Sequence, residues 1–250
     1  MENFDIFDKQ MRRQADWLKD LRNQLFRKAN LRVREQILDI GCGSGIITNE
    51  LSKRSKNNVT GVDKSPEKIE LLKFKYPDIT FICSDALNLP FQDESFDLIT
   101  TSWLWVWIND INKFAQEIKR LLKPGGAYIS LAEIDSEAII EYPDSLARKK
   151  DFYIEFIKSS GGDPFVARKL VALFNEPNLN TKYGASLSMF DFSQLEKDYI
   201  DDWQQIMNFN NNFFTENEFK SIKMIEKDSI LKKTRFSFRP VFWLFVIKAY

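Results

Sequence analysis

The 250-residue sequence predicts an α/β protein built around a mainly parallel β-sheet. Short apolar runs alternate along the chain with segments of helical periodicity, which is the pattern of βαβ units. Three glycines at alternate positions follow the first of these runs, where the chain turns from strand to helix. No linker rich in proline, glycine or serine divides the chain, so its length predicts a single large domain.

The predicted elements follow from hydrophobic periodicity and from the residues at their boundaries. An opening helix over 8–29 places Trp17, Leu21 and Leu25 on one face. The apolar runs predicted as strands are 36–40, 58–62, 80–84, 96–101, 126–134, 182–190 and 236–249. The further predicted helices are 45–55, 66–76, 110–122, 145–159, 164–174, 193–209 and one that begins at the capping box Thr215-x-x-Glu218.

Composition excludes several classes of function. Lysine plus arginine and aspartate plus glutamate number 36 each, so there is no overall basic field and we predict no nucleic-acid partner. The absence of histidine excludes Ser-His-Asp and Cys-His catalysis and His-ligated zinc, and we predict no metal. The N-terminus lacks an apolar signal segment, and the apolar run over 240–250 is too short to span a bilayer. We therefore predict a cytoplasmic protein with no membrane partner.

The turn after the first predicted strand carries the pattern that points to a ligand. Gly41, Gly43 and Gly45 can adopt positive φ and let a ligand approach the backbone closely, and the helix that follows begins with unpaired N–H groups. Asp63 ends the next strand, where a carboxylate can accept hydrogen bonds from both hydroxyls of a ribose. Glycine also suits any tight strand-to-helix turn, and Asp63 could instead cap the next helix, a role that Ser65 fills equally well.

A third acidic position follows the third predicted strand. In Ser84-Asp85-Ala86, the carboxylate of Asp85 can accept a hydrogen bond from the exocyclic amine of a purine. Acidic or glycine residues thus end three consecutive strands, whose carboxyl ends meet at one edge of a parallel sheet. The G-x-G-x-G spacing differs from the G-x-G-x-x-G of a dinucleotide-binding fold, which argues against a dehydrogenase.

Four motifs in order resemble those of class I S-adenosylmethionine-dependent methyltransferases, in the branch of the ubiquinone/menaquinone-type and type 11 enzymes. These motifs, within residues 31–135, are LDIGCGSG, VTGVDKSP, CSDALNLPFQDESFDLIT and FAQEIKRLLKPGG. The resemblance implies a Rossmann-like, seven-stranded, doubly wound sheet of order 3-2-1-4-5-7-6, with the last strand antiparallel and an inserted helical lid. It also implies a single domain over 1–250. The expected parts are a helical cap over 1–34, a cofactor-binding core over 35–135, a lid over 136–162 and 191–230, and segments 163–190 and 231–250 that complete the core.

The resemblance implies that the cofactor is S-adenosyl-L-methionine, with S-adenosyl-L-homocysteine as product. The glycine loop is expected along the methionine portion, with Asp63 at the ribose and Asp85 at the adenine. Trp17 and the arginines of the first helix are expected near the cofactor carboxylate, and the backbone at Thr101 and Ser102 near its amino group. The predicted cofactor-binding residues are Asp39, Gly41, Cys42, Gly43, Ser44, Gly45, Asp63, Lys64, Ser84, Asp85, Ala86, Thr101, Ser102 and Trp17.

The predicted methyl acceptor is a small, partly apolar or aromatic molecule. Trp103 and Trp107 follow the fourth strand, where the resemblance implies that the transferable methyl group lies, and Tyr142 belongs to the predicted lid. Together with Trp105, the tryptophans occupy alternate positions and would point to a common side if the strand continued. Any single one of them is more often a core residue, whereas the cluster as a whole favours a pocket with apolar walls. The predicted substrate-binding residues are Trp103, Trp107 and Tyr142.

No catalytic residue is assigned. Glu133, Asp135 and Tyr142 lie near the carboxyl end of the fifth strand, but such residues are more often structural than catalytic. An activated sulfonium requires a strong base only for a poorly acidic acceptor. Two other functions stay open: methylation of a protein or peptide side chain, and a non-catalytic, cofactor-binding regulatory subunit. The sequence does not indicate which atom is methylated or how many copies of the chain assemble.

Overall fold

The computed structural model describes residues 2–187, 192–209 and 213–250. The strands in these ranges are β1 (Gln36–Ile40), β2 (Asn58–Asp63), β3 (Thr80–Cys83), β4 (Phe96–Thr101), β5 (Leu122–Ile134), β6 (Ile140–Tyr142), β7 (Leu179–Leu187), β8 (Phe236–Phe238) and β9 (Pro240–Lys248). The α-helices are α1 (Glu2–Trp17), α2 (Lys19–Lys28), α3 (Ile46–Ser55), α4 (Pro66–Lys75), α5 (Ile111–Leu121), α6 (Ala147–Ser159), α7 (Leu170–Leu173), α8 (Phe192–Phe209) and α9 (Glu216–Leu231).

Seven strands form one sheet, in the order β3-β2-β1-β4-β5-β9-β7. Strands β1 to β5 run parallel, and β9 runs antiparallel to both of its neighbours, β5 and β7. Counted within this sheet alone, the order is 3-2-1-4-5-7-6 with the last strand antiparallel, so the predicted topology is confirmed. The strand order reverses between β1 and β4, and open α/β sheets bind ligands at the carboxyl ends of the strands beside such a reversal.

Helices cover both faces of this sheet. Side chains of a strand alternate between the two faces, so Leu38 of β1 belongs to one buried cluster and Ile37 to the other. Ile118 of α5 joins the first cluster, and Phe26 of α2 joins the second. Burying one apolar side chain of this size stabilises a fold by about 1.5–3 kcal/mol, so packing on both faces fixes the sheet.

The N-terminal segment differs from its prediction. The single helix expected over 8–29 is divided into α1 and α2 at Leu18, whose backbone leaves the helical conformation (φ −107°, ψ 13°). The Leu18 side chain is buried in the same cluster as Phe26 and Ala29. The two helices pack against different elements, because α1 contacts α3 whereas α2 contacts β5.

The predicted final strand over 236–249 is also divided in two. Strand β8 pairs antiparallel with β6 in a separate two-stranded sheet, where Tyr142 lies opposite Phe236, and β9 joins the main sheet. Arg239 connects the two strands, and its guanidinium pairs with Glu141 of β6 (3.0 Å). This ion pair keeps the connection beside the small sheet before the chain enters the large one.

Two further predicted elements are shorter or shifted. The helix expected over 164–174 is a 3₁₀ turn, Val166–Lys169, followed by the single turn of α7. The strand expected over 182–190 corresponds to β7, which begins earlier, and residues 188–190 lie outside the described residues. Within the described ranges, no helix is long and apolar enough to cross a lipid bilayer.

The segments expected to form the lid contain α6, α8 and α9, and also the short strand β6. Residues 191 and 210–212 of these segments lie outside the described residues. A buried cluster joins the three helices through Phe152 of α6, Trp203 of α8 and Ile222 of α9. Helix α9 begins at the predicted capping box, in which both reciprocal hydrogen bonds are present.

Candidate functional site

The turn between β1 and α3 has the backbone conformation that its glycines predict. Gly41, Gly43 and Gly45 all have positive φ (72°, 54° and 73°), which other residues adopt only with strain. The N–H groups of Gly41 and Cys42 donate to the main-chain oxygen of Val62 (2.7 and 2.9 Å). These bonds fix the glycine loop across the carboxyl ends of β1 and β2.

Asp39 lies next to this loop, near the end of β1, and is almost fully buried. Its carboxylate accepts hydrogen bonds from Thr48 Oγ1 of α3 (2.6 Å) and Thr100 Oγ1 of β4 (2.9 Å). Burial raises the pKa of Asp39 to about 6, against the lowering effect of the two hydroxyls. The carboxyl is therefore mostly ionised at neutral pH and places a negative charge beside the loop.

Asp63 is bonded directly to the glycine loop. Its Oδ2 accepts the Gly43 N–H (3.0 Å), and its Oδ1 accepts the Ser65 N–H (3.0 Å). A carboxylate has about four lone-pair positions, which leaves room for further donors such as hydroxyl groups. The alternative that Asp63 caps α4 is wrong, because Ser65 Oγ accepts the Lys68 N–H (3.3 Å) at that helix start.

The segment that follows β3 lies beside Asp63. The Ser84 N–H donates to the main-chain oxygen of Asp63 (3.1 Å), and Asp85 Oδ1 accepts a main-chain N–H two residues further on (2.9 Å). Asp85 is exposed, so its carboxylate can accept a donor from a ligand. Lys64 and Ala86 belong to the same two turns. The structure thus brings the predicted residues at the ends of β2 and β3 together.

A cavity lies between the glycine loop and α1. Its wall includes a set of the predicted site residues: Asp39, Gly41, Cys42, Gly43, Ser44, Ser102 and Trp103. Met11, Gln14 and Leu18 form the side contributed by the N-terminal helix and its end. Sequence reasoning missed these three, although their helical spacing (i, i+3, i+7) continues the stripe of the predicted opening helix that carries Leu21 and Leu25.

Trp17 lies outside the wall of this cavity, and the guanidinium of Arg13 lies over its ring at 5.2 Å. The arginines of the N-terminal segment are engaged within the chain. Arg12 forms an ion pair inside α1, Arg13 pairs with Asp202 of α8 (2.7 Å), and Arg22 lines the cavity but donates to two acceptors of the chain. A contact of Trp17 or these arginines with the cofactor carboxylate stays a prediction.

The chain turns sharply after β4, and Glu133 of β5 holds this turn. Glu133 Oε1 accepts the N–H groups of Leu104 (3.1 Å) and Trp105 (3.2 Å), and the chain forms a 3₁₀ turn through Trp107. The strand therefore ends at Thr101, as predicted, and the condition under which the tryptophans would point to a common side is not met. Their surroundings differ: Trp103 lines the cavity, Trp105 is fully buried and Trp107 is 42% exposed.

The remaining predicted residues near the acceptor lie in separate places. The Trp107 ring contacts Phe156 of α6 edge-on, with the ring centroids 6.3 Å apart. Tyr142 is 53% exposed on β6. Thr101 directs its hydroxyl to the Tyr128 hydroxyl in the core (2.8 Å), so its main chain rather than its side chain is the part that can face a ligand.

The candidate bases near β5 have structural roles. Asp135 is buried and forms an ion pair with Arg168. Glu133 is fully buried, and burial raises its pKa to about 8, although the N–H groups that it accepts lower it. Its Oε2 has no hydrogen-bond partner among the residues that the structure describes. Across all the residues that the structure describes, no cluster of Cys, Asp or Glu side chains could hold a metal ion.

Comparisons with known proteins agree with this arrangement. Residues 38–130 match a family profile described as a methyltransferase domain. A demethylmenaquinone methyltransferase of Chlorobaculum tepidum is 35% identical over 107 residues, which cover 42% of this chain and 44% of that protein. The mitochondrial arginine-hydroxylase NDUFAF5 of Danio rerio is 26% identical over 214 residues, which cover 79% of this chain and 64% of that protein. The chain thus spans less than two thirds of the length of either relative.

Residues 38–130 form a class I S-adenosylmethionine-dependent methyltransferase domain. The resemblance predicted from the four motifs is confirmed. Among solved structures, the YcgJ protein of Bacillus subtilis shares this fold with a TM-score of 0.58 at 20% identity, covering 91% of this chain and 97% of that one. The family profile of the methyltransferase domain ends within β5, so α1, the lid helices and the last strands lie outside it.

Proposed function

We propose that this protein transfers a methyl group from S-adenosyl-L-methionine to a small, partly apolar or aromatic molecule. The chain then acts as one domain, with the helices of 136–162 and 191–230 as a lid over the site. The observation that carries the proposal is the joint position of the glycine loop, Asp63 and Asp85 at the carboxyl ends of β1, β2 and β3. A relative named as a methyltransferase of demethylmenaquinone, a small molecule, supports the acceptor class.

The residues at this edge of the sheet suit the cofactor. Its ribose hydroxyls and adenine amine are donors, and the carboxylates of Asp63 and Asp85 are acceptors beside the glycine loop. The bound cofactor supplies a methyl group that is already activated on a sulfonium. The chain has to align the acceptor and to exclude water, and we expect the walls formed by Trp103 and α1 to contribute to both.

Asp63→Ala should weaken the binding of S-adenosylmethionine by about 10- to 150-fold, because a charged hydrogen-bond acceptor contributes about 1.5–3 kcal/mol. Isothermal titration calorimetry of the parent and the variant measures this change. Asp93→Ala is the matched control, since Asp93 is an exposed carboxylate that pairs with Arg120 near the amino end of β4. The control should bind like the parent, and a variant at Asp63 that also binds like the parent would refute the ribose assignment.

Trp107→Ala should lower kcat/KM for the acceptor by about 10- to 100-fold, which corresponds to the loss of one buried aromatic contact. The affinity for S-adenosylmethionine should stay within a few-fold of the parent, because Trp107 lies outside the cavity wall and contacts α6. Steady-state kinetics and calorimetry together measure the two effects. Phe74→Ala on α4, which removes a highly exposed ring, is the control. Unfolding of Trp107→Ala without a selective kinetic loss would show that Trp107 is a packing residue.

A protein side chain is the second candidate acceptor. The Danio rerio relative is named as an arginine hydroxylase, and its alignment extends well beyond the methyltransferase profile. Incubation with methyl-labelled S-adenosylmethionine and separate small-molecule and protein fractions of a cell extract distinguishes the candidates. Label in small molecules supports the proposal, and label in proteins alone supports the second candidate. Cofactor binding without any transfer would indicate a non-catalytic regulatory subunit.

A further inference from the structure

Gln14 of α1 carries an unpartnered polar atom at the cofactor cavity. Its side chain lines the cavity, whose wall also includes the glycine loop, Asp39 and Ser102. The Gln14 Oε1 is buried, and it accepts no hydrogen bond from the residues that the structure describes. Buried polar atoms are nearly always hydrogen-bonded, so an amide oxygen left without a donor at a cavity indicates a donor on the ligand.

The residues beside Gln14 on the α1 side of this wall do not supply the donor. Met11 and Leu18, which line the cavity on the same side as Gln14, are apolar. Arg22 donates to Glu50 (2.7 Å) and to the main-chain oxygen of Ala15 (2.7 Å). The amide oxygen of Gln14 therefore has no donor on its own side of the cavity, and a ligand in the cavity that carries a hydrogen-bond donor would satisfy it.

Ion pairs to two other helices fix the position of α1. Asp8 pairs with Lys75 of α4 (3.1 Å), and Arg13 pairs with Asp202 of α8 (2.7 Å). Gln14 follows Arg13 directly, so it is presented by a part of the helix that is tied to the rest of the protein. A binding group that is positioned in advance loses less entropy when it meets its ligand.

We propose that Gln14 binds the α-ammonium group of the cofactor's methionine end through its amide oxygen. This inference rests on the proposed function. The cofactor offers a cationic ammonium donor and an anionic carboxylate at that end. The amide oxygen can only accept a hydrogen bond, and the carboxylate of Asp39 on the same cavity repels an anion. The opposite charge on this wall, that of Arg22, is balanced by its ion pair with Glu50 (2.7 Å), so the ammonium is the favoured group. Gln14 thus makes α1 a part of cofactor recognition.

The test compares three ligands with the parent and Gln14→Leu, a variant that keeps the size of the side chain and removes its polar atoms. Calorimetry should show S-adenosylhomocysteine bound about 10- to 150-fold more weakly by the variant, the range for a hydrogen bond to a charged group. The decarboxylated analogue of S-adenosylhomocysteine keeps the amine, so its affinity for Gln14→Leu should fall by the same factor. Methylthioadenosine, which lacks the whole amino-acid end, should bind both proteins within a few-fold.

Controls separate this inference from the proposed function. Asp16→Asn changes an exposed polar residue of α1 and should leave all three affinities unchanged. Gln14→Met serves if Gln14→Leu does not fold. Equal binding of S-adenosylhomocysteine by parent and variant, an equal loss for methylthioadenosine, or no loss for the decarboxylated analogue would each overturn the role of Gln14. A parent that binds none of the ligands would overturn the proposed function itself.

Discussion

Glu226→Ala is expected to lower the free energy of unfolding by about 3–5 kcal/mol, the cost of removing one partner from a buried ion pair. Glu226 of α9 accepts from Lys149 Nζ (2.9 Å), Arg235 Nε (3.0 Å) and Trp203 Nε1 (2.7 Å). Lys149 and Arg235 are only 1% and 4% exposed, so the variant would leave their charges buried without this partner. Denaturant unfolding followed by circular dichroism measures the loss.

Two comparisons make this prediction specific. Asp228→Ala in the same helix breaks an exposed pair with Lys232 and should cost about 0–1 kcal/mol.

Burial alone would raise the pKa of Glu226, but Lys149 and Arg235 lower it to about 2. Because an unfolded glutamate titrates near about pH 4.3, the folded state gains stability above that pH and loses it as the pH falls toward 2. The unfolding free energy of Glu226→Gln should lack this part of the dependence on acid pH. A Glu226→Ala variant as stable as the parent would contradict the stabilising role of this ion-pair network.

The ion pairs around Glu226 connect the expected lid with α1. Arg235 also pairs with Glu141 of β6, and Lys149 of α6 lies 3.8 Å from Asp202 of α8. Asp202 in turn pairs with Arg13, one residue before the Gln14 that lines the cavity beside the glycine loop. Charged groups are costly to bury unless they are paired, so this network restricts how α1, α6, α8 and α9 can be arranged.

The parts of the fold that could be predicted have causes that lie within a short stretch of sequence. The glycine turn is one example, because Gly41, Gly43 and Gly45 take the positive φ angles that glycine permits and follow directly after β1. The order of the strands came from the resemblance, because hydrophobic periodicity gives the elements and not their neighbours. The cap of α4 by Ser65 is equally local, since its hydroxyl accepts an N–H three residues further on.

The parts that could not be predicted depend on residues far apart in sequence. Trp105 is turned into the core by Glu133, which lies 28 residues further along the chain. Lys149 and Glu226 are 77 residues apart, so nothing near either residue indicates that it is buried. Gln14 was missed for a different reason: it is a polar residue on the apolar stripe of the opening helix, and only the fold shows that this part of the stripe borders a cavity.

Glu133→Ala is expected to destabilise the protein by about 2–4 kcal/mol, because the buried N–H of Trp105 and the partly buried N–H of Leu104 would both lose their acceptor, at about 1–3 kcal/mol for a fully buried group. The same change should weaken cofactor binding, since the turn that Glu133 holds continues from Ser102 and Trp103 in the cavity wall. Glu133→Gln keeps an acceptor oxygen in the same position and should retain most of the stability. Denaturant unfolding and calorimetry measure both effects, and a stable Glu133→Ala variant would contradict this role.

Glu133 should contribute to the pH dependence of the unfolding free energy with the opposite sign to Glu226. Burial raises the pKa of Glu133 to about 8 in the folded protein, whereas an unfolded glutamate loses its proton near about pH 4.3. The folded state therefore binds the extra proton between these two pH values, and this contribution to stability is complete below about pH 4.3 and is lost as the pH rises toward 8. Between these pH values, this contribution to the unfolding free energy can change by about 1.4 kcal/mol per pH unit. The difference in unfolding free energy between Glu133→Gln and the parent, measured from pH 5 to pH 8, isolates this contribution from that of Asp39, and a constant difference would show that Glu133 titrates normally.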